Sequence, residues 1–128
     1  YAGVRNIEAL TMVDMANKML IPAVVKYTKK LADTVLAVKE AGVDATVQTE
    51  MLSEVSEKLV EMKNAVKDLE DITEKAANAE DAQTSAIAYK DEVMAAMAAL
   101  RKPADELEVI MPKEAWPMPT YGDLIFEL

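Results

Sequence analysis

The chain of 128 residues is long enough to bury one hydrophobic core. Hydrophobic residues make up 52% of it and aromatic residues only 5%, and most of the apolar residues are strong helix formers such as Ala, Leu and Met. The formal net charge of −9 repels phosphate backbones and anionic lipids, which argues against nucleic acid or a membrane surface as a partner. We therefore expect a single all-α domain over residues 1–128.

Cysteine is absent, which excludes a disulfide framework and fits a reducing compartment such as the cytoplasm. No apolar run approaches the roughly 18 residues that a membrane-spanning helix needs. Tyr1, rather than a methionine, leads almost directly into a helical pattern. We expect the sequence to be a segment of a longer protein.

The first predicted helix covers residues 5–40 and contains Pro22. A proline removes one backbone hydrogen bond and clashes with the carbonyl group four residues before it. The apolar stripe continues in phase past Pro22, so we expect a kink near residues 18–22 rather than a stop. Gly42 is expected to follow the helix end, with Asp44 or Thr46 capping the next helix. The stripe comprises Met12, Met15, Met19, Ala23, Tyr27, Leu31, Val35 and Val38.

The second predicted helix, residues 46–78, has the clearest periodicity in the chain. Its apolar residues alternate three and four apart, which is typical of a heptad seam that packs against other helices. Two acid-first pairs four residues apart, Glu54–Lys58 and Asp71–Lys75, are expected on its outer surface. The seam comprises Leu52, Val55, Leu59, Met62, Val66, Leu69, Thr73 and Ala76.

The third predicted helix covers residues 81–111 and contains Pro103, which allows either a bent helix or a restart at that residue. The three helices are similar in length and short segments connect them, as in antiparallel bundles. We therefore expect an elongated antiparallel three-helix bundle with kinked helices.

Residues 112–128 differ from the rest, because they hold three of the six aromatic residues and three of the five prolines. The prolines predict an extended C-terminal strap, and the regularly spaced rings suit it to docking along an apolar groove. Two interpretations stay open: the strap holds its own helices together, or it also contributes to a surface for a partner. The candidate docking residues are Trp116, Tyr121 and Phe126.

The sequence shows no catalytic constellation. It has no histidine, the commonest general base and transition-metal ligand, and it has no glycine-rich phosphate loop. Acidic clusters occur on predicted helices, which lack the turning loop that calcium sites of the EF-hand kind use. We assign no catalytic, cofactor-binding or metal-binding residue, and we interpret the nine methionines as core residues.

Two parts of the sequence resemble the C-terminal helical region of type III glutamine synthetases. The first is Trp116-Pro117-x-Pro119-Thr120-Tyr121 followed by Leu124-Ile125-Phe126. The second combines Tyr1, Asn6-Ile7-Glu8-Ala9-x-Thr11, Ile21-Pro22-Ala23 and Tyr27. The resemblance covers the chain in order, and between the two ends it depends on the helical pattern alone.

This resemblance implies a non-catalytic structural or assembly domain of a large cytoplasmic ligase. Such an enzyme joins ammonia to glutamate with ATP and Mg²⁺, and it assembles as a double-ringed dodecamer. The implied partners are the catalytic domain and neighbouring subunits of the homo-oligomer. The alternative interpretation is an independent acidic helical bundle that binds another protein.

Overall fold

The computed structural model describes the backbone of residues 2–78 and 82–117 and the side chains of residues 8–78 and 89–117. Within these residues the fold is all-α, as expected, and contains no strand. Helices α1 (Ala2–Met15) and α2 (Ile21–Glu40) are joined by a π turn at Ala16–Leu20, and together they form one long helical arm. Helices α3 (Thr46–Ala77) and α4 (Ala82–Ile110) form the other two arms, and a 3₁₀ turn follows at Lys113–Ala115.

The π turn lies immediately before Pro22, where a kink is expected. The Ile21 backbone N–H donates to the Ala16 carbonyl five residues earlier, the spacing that defines a π turn. The wider turn places Ala16, Leu20 and Val24, spaced four apart, in the core, whereas Met19 is exposed and Ala23 is half-buried. The expected position of Met19 on the apolar face is therefore wrong, because the π turn shifts the helical phase. The kink itself stays a prediction.

The connection between α2 and α3 is a glycine-terminated helix end. Gly42 has φ of +80°, its N–H donates to the Lys39 carbonyl, and the Val43 N–H donates to the Val38 carbonyl. These two bonds form a Schellman motif, in which glycine adopts the left-handed conformation without steric cost. Asp44 then accepts hydrogen bonds from both the backbone N–H and the hydroxyl of Thr46. The N-cap residue of α3 is Ala45, which makes no side-chain capping bond, so neither of the two expected residues occupies the N-cap position.

Helix α3 lies between the other two arms and packs against both α2 and α4. Every residue of its predicted seam is buried or half-buried, and Met62, Val66 and Leu69 have no exposed surface. Its 32 residues extend over about 48 Å. Helix α4 runs through Pro103 without a restart, and Pro103 is among the most deeply buried residues.

Candidate functional site

Trp116 is the candidate docking residue that the structure describes. Pro112, with φ of −58° and ψ of 145°, directs the chain out of α4 into the 3₁₀ turn, which packs against α2. The Trp116 backbone N–H donates to the carbonyl groups of Pro112 and Lys113, and the residue is only 7% exposed. The ring belongs to the same core cluster as Leu107 and Met111. Trp116 therefore closes the core at this end of the bundle.

The other two candidates, Tyr121 and Phe126, lie outside the described residues. The docking of the whole strap, residues 112–128, therefore stays a prediction beyond Pro117. Trp116, the first aromatic residue of the strap, is part of the core of this chain. This agrees with the interpretation in which the strap holds its own helices together, and it leaves the partner surface open.

Among the side chains that the structure describes, two buried polar atoms have no hydrogen-bond partner: the Trp116 indole Nε1 and the Thr73 hydroxyl Oγ1. Thr73 lies in the seam of α3 and is 4% exposed. A buried donor or acceptor without a partner costs free energy, because it has lost its bonds to water. Both atoms are therefore weak points of the core, and neither could be identified from the sequence pattern alone.

Lys58 and Glu106 form an ion pair between α3 and α4. Lys58 also lies 3.8 Å from the Glu61 carboxylate, so the ion pair expected between Glu54 and Lys58 is replaced by contacts with Glu61 and Glu106. The hydrogen bond between Lys58 and Glu106 raises the pKa of Lys58 and lowers the pKa of Glu106. Both side chains are about one-third exposed or less, which places the pair at the edge of the helix interface.

A polar network ties the π turn to α3. The Asn17 side-chain amide donates to Glu70 at 3.0 Å, and Lys63 donates to the Asn17 side-chain oxygen at 3.4 Å. Asn17 is one of the five residues of the π turn, so both of its bonds connect the irregular segment to the central helix. This arrangement holds the first arm in register with α3.

An open depression on the surface is lined by Asp71, Glu74, Lys75, Asn78 and Tyr89. Within the part of the chain that the structure describes, no group of three or more acidic side chains is close enough to hold a metal ion. The depression therefore has the character of a solvated acidic surface. None of the described helices is both long and apolar enough to cross a membrane.

Comparison with known proteins agrees with the sequence resemblance. Residues 1–39 match the family model for the glutamine synthetase C-terminal domain. A glutamine synthetase from Butyrivibrio fibrisolvens is 33% identical over 130 residues, which cover all of this chain and 19% of that protein. A glutamine synthetase from Bacteroides fragilis (strain YCH46) is 27% identical over 126 residues, which cover 94% of this chain and 17% of that protein.

The chain thus spans less than one-fifth of the length of either relative. The family match falls on α1, the π turn and α2, and the similarity to the two relatives extends over the remaining helices as well. The chain therefore belongs to the glutamine synthetase family, in the part that the family model describes as the C-terminal domain.

Proposed function

We propose that this chain is a non-catalytic structural and assembly domain of a type III glutamine synthetase. The observation that carries the proposal is the similarity of the whole chain, or 94% of it, to less than one-fifth of each of two glutamine synthetases. The described helices form a continuous core that extends from Ala9 in α1 to Trp116. A bundle of this kind suits a rigid element that positions other parts of an enzyme.

The chemistry of the enzyme is assigned to the catalytic domain of the parent protein. There, ATP and Mg²⁺ would support the joining of ammonia to glutamate, and the assembly would be a cytoplasmic dodecamer. Lys58 pairs with Glu106 of α4 and with Glu61 of its own helix, and we give neither pair a catalytic role. This chain would contribute contacts with the catalytic domain and with neighbouring subunits.

Isothermal titration of the 128-residue chain with Mg-ATP tests the non-catalytic assignment. We expect no heat of binding, because we assign nucleotide and metal binding to another part of the enzyme. A micromolar dissociation constant would overturn that assignment. The same titration of the full-length enzyme is the positive control.

A second candidate function is an independent acidic module that binds other proteins. The net charge of −9 and several exposed apolar side chains, such as Leu36 and Val109, favour it. The open reading frame distinguishes the two candidates. A glutamine synthetase catalytic domain encoded immediately before Tyr1 supports the first candidate, and a stand-alone gene supports the second.

A further inference from the structure

Three exposed apolar side chains lie four residues apart where α3 begins. Val43 precedes the helix, and Val47 and Met51 lie in its first two turns. They are 61%, 65% and 40% exposed, respectively. Val47 and Met51 lie four residues apart on the helix and share one face, and Val43 lies in the connection just before it. We call these three residues the open stripe.

The open stripe continues the face of α3 that packs against α4. Lys58, which pairs with Glu106 of α4, lies seven residues after Met51 and therefore on the same side of α3. Seven residues correspond to about 10 Å along the helix axis. Because the two helices are antiparallel, α4 would have to continue about 10 Å beyond Glu106 to cover Met51. It ends at Ile110, after only about 6 Å, so the stripe lies past its end.

The chain leaves α4 at this same end of the bundle. The 3₁₀ turn packs against α2, Trp116 is buried, and Pro117 is exposed. Eleven residues follow, and an extended chain of that length reaches at most about 36 Å. The helical part of the open stripe, from Val47 to Met51, spans about 6 Å, so the reach is ample. The apolar residues available to cover it are Tyr121, Leu124, Ile125, Phe126 and Leu128.

We propose that residues 118–128 dock on the open stripe and take over the packing role of α4 beyond Ile110. The strap would then complete the α3 interface that α4 leaves uncovered. The proposal commits to this segment of the same chain as the occupant, rather than a second copy or another protein. It does not depend on the function proposed above.

Cysteine cross-linking tests the proposal cleanly, because the native chain has no cysteine. One variant carries Val47→Cys with Glu127→Cys, and the matched control carries Val60→Cys with Glu127→Cys. Val60 is the same residue type on the same helix and is 60% exposed. It lies thirteen residues from Val47, which places it on a different side of α3. Each 128-residue variant is treated with a short bis-maleimide, and the cross-linked peptides are identified by mass spectrometry.

Rates are normalised to the labelling rate of each single-cysteine variant. Docking on the open stripe raises the effective concentration of the strap there, so the intramolecular cross-link to Val47→Cys should form at least about tenfold faster than the one to Val60→Cys. Rates within about twofold of each other would overturn the proposal, as would slow reaction at both positions. Cross-links between chains that increase with protein concentration would also overturn it, because they would identify a second copy as the occupant.

Discussion

Lys58 of α3 donates a hydrogen bond to the Glu106 carboxylate of α4, so this contact bridges the two helices at the edge of their interface. The bond favours the charged form of both groups, so it lowers the pKa of Glu106 and raises the pKa of Lys58. The stabilisation from Glu106 is present above its unfolded-state pKa and is lost as the pH falls through the folded-state value. The stabilisation from Lys58 is present below its unfolded-state pKa and is lost as the pH rises through the folded-state value.

Glu106→Gln should lower the melting temperature at neutral pH. The difference from the native chain should shrink in acid, as the pH falls through the lowered pKa of Glu106 and its carboxylate becomes protonated. Thermal melts followed by circular dichroism between neutral and acidic pH provide the measurement. Asp33→Asn is the control, because Asp33 pairs with Lys29 inside α2 and both side chains are mostly exposed. Equal decreases in melting temperature for the two variants would show that the Lys58–Glu106 pair between the helices contributes no more than an exposed pair within one helix.

Leu69→Ala should reduce the free energy of unfolding by about 2–5 kcal/mol, because Leu69 has no exposed surface. Leu59→Ala should cost less, since Leu59 is only half-buried. Val60→Ala, at an exposed position of the same helix, should change stability by less than about 0.5 kcal/mol. Urea titrations measure all three variants. Similar losses at residues 60 and 69 would show that the buried face of α3 is assigned incorrectly.

Thr73→Val should stabilise the protein by about 1 kcal/mol, because a methyl group of similar size takes the place of a buried hydroxyl that lacks a hydrogen-bond partner. Thr34→Val is the matched control. The Thr34 hydroxyl is exposed and donates to the Lys30 carbonyl, so its removal should have little effect. Urea titration of both variants provides the comparison. A destabilised Thr73→Val would mean that the hydroxyl has a partner in solution.

Trp116→Ala should cost about 3–5 kcal/mol, since the ring is buried in the core. Trp116→Phe should cost much less, because it keeps an aromatic ring and removes an indole N–H that has no acceptor. Trp116 is the only tryptophan, so its fluorescence reports on this site alone. The native emission should be blue-shifted, protected from quencher, and red-shifted on unfolding. A fully quenchable Trp116 in the folded chain would contradict its position in the core.

Much of α3 could be predicted from the sequence, because its apolar residues alternate three and four apart without a glycine or proline. The π turn could not be predicted as easily, since the choice between four-residue and five-residue hydrogen bonds depends on packing around Pro22. The four-residue spacing of Ala16, Leu20 and Val24 was the available signal.

The ion-pair partner of Lys58 also could not be predicted from the local sequence pattern. Glu54, four residues before it, is a reasonable partner within the helix, whereas Glu106 comes within reach only when α3 and α4 adopt their observed register. The continuity of α4 through Pro103 has a similar origin, because burial of the proline in the bundle supports the helix there. Trp116, the first aromatic residue of the strap, is buried in the structure, and its role in docking the strap stays a prediction.

The most direct test of the proposed assembly role is the native mass of the full-length enzyme with and without residues 1–128. Mass photometry of purified particles measures it, and Mg-ATP binding by the truncated enzyme verifies that its catalytic part is folded. We expect that removing these residues abolishes particles of dodecamer mass and leaves smaller species that still bind Mg-ATP. Retention of the same number of subunits per particle would contradict the proposed assembly role.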